Sequence, residues 1–95
     1  MVKTYRINEK IVFREEADGA FLFDPADGNL KYLNHSGKEI YQTLKRVQDT
    51  TSVIAALEKT YPDADRDRLK TDVMLFIDQM VQHNFIAIDS SPSDV

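Results

Sequence analysis

The side chains able to do acid, base or metal chemistry in this 95-residue chain are few, and their spacing does not favour it. His35 and His83 stand far apart, with no H-x-x-x-H or comparable ligand spacing around either. The absence of cysteine removes a thiolate zinc site, a disulfide framework and a cysteine nucleophile together. Glu15 and Glu16 form one carboxylate pair, and Asp63, Asp65 and Asp67 form a looser acidic cluster. A calcium loop needs a glycine at its sharp turn and a closing glutamate, both missing from the aspartate cluster. Those aspartates stand where a helix is expected to begin, and there capping and the helix macrodipole account for them. No G-x-S-x-G, phosphate loop or dinucleotide fingerprint occurs, and three glycines leave little room for one. The expectation is a chain with no catalytic residue, no metal and no cofactor.

Other chemistry must then come from surfaces, and the elements that build them can be read along the chain. Ile11 to Glu16 is rich in β-branched and aromatic residues and ends at the turn Ala17-Asp18-Gly19, which predicts a first strand. Ala20 to Asp24 is apolar on both faces, as a central strand would be. Pro25-Ala26-Asp27-Gly28 reverses the chain, and Asn29 to Leu33 alternates polar with apolar, giving a third strand antiparallel to the second. The period then turns helical. Asn34 or Ser36 can cap, with Ser36 to Glu39 matching the S-x-x-E box, and Ile40, Leu44 and Val47 mark a buried stripe flanked by Tyr41. Gln48 to Ser52 breaks this helix and caps a second, carrying Val53, Ile54, Leu57 and Tyr61 and stopped by Pro62. Leu69, Val73, Phe76, Ile77 and Met80 share one face of a third helix running to about His83 or Asn84. Phe85 to Ile88 is a short apolar run, either a strand or an extended tail. The expected fold class is α+β, a three-stranded antiparallel sheet followed by three helices in a winged-helix-like order. Residues 1–10 are expected as an N-terminal extension, 11–88 as the domain and 89–95 as a flexible tail.

Charge narrows the partners. A net charge of −4 disfavours nucleic acid, since displacing counterions from phosphates requires a cationic face. Lys38, Lys45 and Arg46 lie close together on the first helix with Glu39 among them, and read as a solvated surface. No apolar run approaches a membrane span and no export segment is evident, so the expected location is cytoplasmic.

Several of these residues carry a more specific likeness. Phe23-Asp24 leads into the Pro25 to Gly28 turn, Tyr32-Leu33-Asn34 opens a helix, and Ile40 and Leu44 follow. Val53, Ile54, Leu57 and Tyr61 come next, then Asp72-Val73, Phe76-Ile77, Met80 and a closing Phe85-Ile86. In this order, across Val12 to Ile86, the chain resembles the PqqD family, also described as the RiPP recognition element. The family often has glycine between the first two helices and before the last apolar run. Here Gln48-Asp49-Thr50 and Asn84 stand in those places.

The resemblance implies a non-catalytic peptide chaperone or adaptor. It would bind the leader segment of a ribosomally made precursor peptide as a strand added to the sheet edge and deliver it to a modifying enzyme, often a radical SAM enzyme. Carried onto this sequence, the edge falls on Leu30, Lys31, Tyr32 and Leu33. The opposite wall falls on the third helix, at Asp72, Val73, Met74, Leu75, Phe76 and Gln79. Met74 and Leu75 flank the buried stripe on opposite sides, and the sequence does not say which flank meets the third strand. Against the groove reading of that pair stands packing on a tail or a dimer partner; against roles for Lys31 and Asp72 stands ordinary solvation. Two other readings compete with the adaptor. One is a winged-helix DNA-binding regulator, disfavoured because Val73 to Asn84 holds no basic residue except His83. The other is a structural subunit that dimerises through the same sheet edge, so that both monomer and homodimer remain open.

Overall fold

The computed structural model describes residues 4–88. Its elements are β1 (Tyr5–Ile7), β2 (Val12–Glu16), β3 (Gly19–Asp24), β4 (Asn29–Asn34), α1 (His35–Val47), α2 (Thr50–Thr60), α3 (Arg66–Gln82) and β5 (Ile86–Ile88). β2, β3 and β4 form an antiparallel sheet in chain order, followed by the three helices. This is the α+β, winged-helix-like arrangement that the apolar periodicities predict.

Local chemistry sets each boundary. In the β3–β4 turn, the Ala26 N–H donates to Asp24 Oδ1 at 2.9 Å and the Gly28 N–H to the Asp24 carbonyl at 2.8 Å, while Gly28 takes φ 75°. Asn34, not Ser36, caps α1: its Oδ1 accepts from the Gly37 N–H at 2.8 Å. The helix therefore starts at His35, and Glu39 is released from a capping box to other work. Gln48 closes α1 in the left-handed conformation, φ 69°, with its N–H returned to the Leu44 carbonyl. Asn84 does the same after α3 at φ 67°. The first of these positions belongs to Gln48 and not to Asp49, whose side chain caps α2 instead through the Ser52 N–H. Asp65 caps α3.

The register Phe23–Leu30, Leu22–Lys31, Phe21–Tyr32 and Ala20–Leu33 sorts β3 and β4 into two faces. Ala20, Leu22 and Leu33 point to the helices and are buried; Val12, Phe23, Leu30 and Tyr32 stand exposed on the other face. Ile40, Tyr41 and Leu44 of α1, Val53 and Leu57 of α2, and Val73, Ile77 and Met80 of α3 close the core. Each such side chain contributes about 1.5–3 kcal/mol through removal from water.

Two features depart from expectation. Tyr5–Ile7, within the stretch expected as an extension, is strand β1, paired antiparallel with β5 as Tyr5–Ile88, Arg6–Ala87 and Ile7–Ile86. Three residues are too few for alternation to stand out in a sequence. Lys38, expected in a solvated patch, is buried. Its Nζ lies 2.8 Å from Glu15 Oε2 and donates to the Glu16 carbonyl, so the carboxylate at the end of β2 is tied to α1. The tail at 89–95 lies outside the described residues.

Tyr41 stacks on Phe13 with ring centroids 5.5 Å apart and planes 4° from parallel. Burial pushes its phenol up to about 12, against 10 in the unfolded chain. The folded protein thus holds a proton that the unfolded chain releases between these values. Stability is complete below pH 10 and falls as pH rises through 12, by about 3 kcal/mol at the limit. Urea titrations at rising pH should show this slope, and its reduction in Tyr41→Phe assigns it.

Candidate functional site

β4 is the outer strand of its sheet, so one row of its backbone N–H and C=O groups faces away from β3. What faces that edge is α3, which packs on α1, α2 and β5 but brings no Cα within 8 Å of a Cα in β4. The space between is a groove of about 350 Å³. Lys31, Tyr32 and Leu33 form one wall and Phe76 and Gln79 the other. Asn34 and Gly37 line the end where β4 passes into α1. An added strand would lie about 4.8 Å from β4, which the separation of more than 8 Å between the Cα atoms of β4 and α3 leaves room for.

Alternation along β4 assigns the chemistry. Lys31 and Leu33 are on the face turned to the helices, Leu33 buried in the floor and Lys31 half-buried with no ion-pair partner among the described residues. Leu30 and Tyr32 are on the outer face, with Tyr32 tilted against Phe21 at 5.2 Å. The groove therefore offers an apolar floor, one cation, the carboxamides of Gln79 and of the capping Asn34, and a ladder of backbone groups. These are means of holding a peptide; none is a nucleophile with its base.

The residues expected on α3 separate. Phe76 and Gln79 face β4, which settles the flank. Val73 is fully buried in the core. Leu75 follows Gln79 around the helix on the groove side, whereas Met74 is on the far side; both are exposed and neither lines the groove. Asp72 is one turn before Phe76 and borders a neighbouring pocket with His35 and Ser36. Asn34 and Gly37 were not among the expected site residues. A glycine inside a predicted helix was the available signal, because it marks a close approach. A Cβ at Gly37 would lie 3.1 Å from Phe76 Cε1.

Among the described residues no cluster of His, Asp or Glu could hold a metal, and no helix is long and apolar enough to cross a membrane. Fold and site together define a small α+β domain of winged-helix-like build whose sheet keeps an open edge against its last long helix. Residues 19–86 match the family Coenzyme PQQ synthesis protein D (PqqD), and the chain belongs to that family. No curated relative matches the sequence. Two solved structures share the fold. One is TbiB1 in complex with the TbiA(beta) leader peptide, with TM-score 0.76 and 17% identity, covering 90% of this chain and 96% of that one. The other is a lasso peptide synthetase B1 complexed with the leader peptide, with TM-score 0.70 and 20% identity, covering 87% of this chain and 95% of that one.

Proposed function

We propose that this protein is a peptide-binding adaptor that takes the leader segment of a ribosomally made precursor as an extra strand on β4 and presents it to a modifying enzyme. The observation that carries this reading is the unpaired β4 edge held open against Phe76 and Gln79. Main-chain pairing supplies affinity, and the alternating side chains of the peptide supply selectivity. Those turned inward meet Leu33, Lys31 and Phe76; those turned outward lie beside Leu30 and Tyr32. Both structural neighbours were solved with leader peptides, and membership of the PqqD family points the same way. The chain contributes binding and no catalytic group. A cytoplasmic modifying enzyme, of the radical SAM class in the first instance, is the partner to be sought.

DNA reading has little support, because the basic residues of α3, Arg66, Arg68 and Lys70, are confined to its start with Asp67 among them, and the rest of the helix carries only Asp72 and Asp78 as charges. An amide NMR titration with synthetic leader peptides, drawn from short open reading frames adjoining the gene, tests the proposal. Shifts should concentrate at Leu30 to Asn34 and at Phe76 to Gln79, with new protection from exchange along β4. If β4 amides are already protected in the free protein through self-association, the edge serves a second copy and the adaptor reading fails.

A further inference from the structure

Across β3 from the groove, the chain leaves β1, passes Asn8 to Lys10 and enters β2. Between this connection and the second half of α1 opens a pocket of about 420 Å³ that shares no residue with the groove. Its volume falls in the range of small-molecule sites. Ile7, Ile11 and Leu44 line it beside the stacked rings of Phe13 and Tyr41, an apolar wall with room for a benzene ring.

Tyr41 is the informative member. It is only 2% exposed, yet its hydroxyl makes no hydrogen bond among the described residues. No side-chain polar atom sealed from solvent lacks a partner, so this hydroxyl reaches open space, and the space that Tyr41 lines is the pocket. A phenol buried to this degree normally finds an acceptor. Arg6 and Lys45 stand exposed at the mouth with Glu9, and none of the three is in an ion pair among the described residues. Two cations against one carboxylate leave the opening positive in a chain of net charge −4. Lys45 and Arg46 also outweigh the negative end of α1, whose last turn they occupy.

A cationic ligand would be repelled by Arg6 and Lys45, and a purely apolar one would cover the Tyr41 hydroxyl without giving it an acceptor. An apolar body that carries a carboxylate meets both conditions. We propose that this pocket is a binding site for a small organic carboxylate. The apolar stem packs on Ile7, Ile11, Leu44 and the Phe13 ring, and the carboxylate accepts from the Tyr41 hydroxyl within the field of Arg6 and Lys45. The site lies at the opposite edge of the sheet from β4, so it can be filled while the groove is filled, and it does not rest on the peptide reading.

The test titrates phenylacetate and its neutral isostere phenylacetamide into the full chain, followed by methyl NMR. Both carry the same ring, and only the first carries the charge. Phenylacetate should shift the methyl signals of Ile7, Ile11 and Leu44 and bind at least about 10-fold more tightly than the amide. Tyr41→Phe should weaken phenylacetate by about 10- to 100-fold and the amide by much less. Removing a hydroxyl that has no partner leaves nothing unpaired, so this variant should melt with wild type at neutral pH. Lys45→Gln, at an exposed position, should weaken the acid by about 3-fold and flatten its salt dependence. Equal binding of acid and amide, or a Tyr41→Phe variant that binds phenylacetate normally, overturns the assignment, as does the absence of methyl shifts with either probe. Should Tyr41→Phe fail to fold, the comparison of acid with amide and the Lys45→Gln variant decide. The C-terminus of a peptide offers the same chemistry: a tripeptide ending in phenylalanine that binds more tightly than phenylacetate assigns the site to chain ends, and one that binds more weakly assigns it to free acids. No outcome here bears on leader binding at β4, which stands or falls on its own titration.

Discussion

Gly37→Leu should fold and yet bind leader peptide at least about 100-fold more weakly than wild type. Gly37 is buried in the first turn of α1, at the end of the groove where β4 passes into that helix. A Cβ built there lies 3.1 Å from Phe76 Cε1, 3.4 Å from Asn34 Oδ1 and 3.5 Å from Leu33 Cβ, all three on groove-lining residues. A leucine side chain must therefore occupy the space a peptide would use. Replacing glycine in a helix gains about 0.5–1 kcal/mol, and crowding Phe76 costs about 1–3 kcal/mol. Phe76 is half-buried and its ring is the part approached, so it can give way; the net loss is small beside the usual 5–15 kcal/mol of a domain. Gly37→Ala should fall between, with binding weakened by about 10-fold. Calorimetric titration beside a thermal melt separates the effects: normal binding by a folded Gly37→Leu protein would place the peptide elsewhere.

How far the site was legible follows from which physics each residue obeys. The apolar stripes announce the helices because burial imposes a 3.6-residue period: Ile40, Leu44, Val53, Ile54, Leu57, Val73, Ile77 and Met80 are buried, and Val47, Leu69 and Phe76 partly so. Ala20, Phe21, Leu22 and Phe23, apolar on both faces in succession, announce a central strand. The groove leaves no such trace. Apart from Leu33 and Gly37 its residues are partly or fully exposed, so Gln79 is polar, Phe76 belongs to the core stripe, and only a family likeness brings them beside β4. Periodicity gave two flanks for α3 without choosing between them; the choice depends on how α3 sits against α1 and β5, a tertiary fact. Lys38 was misread because a lysine stem can be buried while its ammonium finds Glu15, and charge alone reads as solvent.

The outer face of the sheet completes the functional argument. Val12, Phe23 and Leu30 fall in one cross-strand row, and Arg14, Phe21 and Tyr32 in the next. A strand added to β4 would place alternate side chains at the end of these rows. Half of a bound leader would then be hidden against α3 and half displayed beside exposed apolar residues. A modifying enzyme that docks there would meet a surface that exists in full only when the leader is bound.

That surface depends on the register of β3 and β4, and Gly19 is where the register is most constrained. Gly19 opens β3 opposite Asn34, and a Cβ there would fall 1.9 Å from the Leu33 carbonyl oxygen and 3.1 Å from the Leu33 carbonyl carbon. These are backbone atoms of the paired strand, which cannot move without breaking the ladder and displacing Leu33 from the core. Gly19→Ala should therefore cost about 3 kcal/mol or more, at the upper end of overpacking effects. In a domain of this size that lowers Tm by about 12–24 °C. Gly28→Ala is the informative comparison. Nothing lies within 4 Å of a Cβ at Gly28, and its cost comes only from φ 75°, about 1–2 kcal/mol. If the two variants melt together, the end of β3 splays freely and the close approach at Gly19 does not fix the register. If Gly19→Ala melts far lower, the strand that offers its free edge to a peptide is held in place from its other side by a residue with no side chain at all.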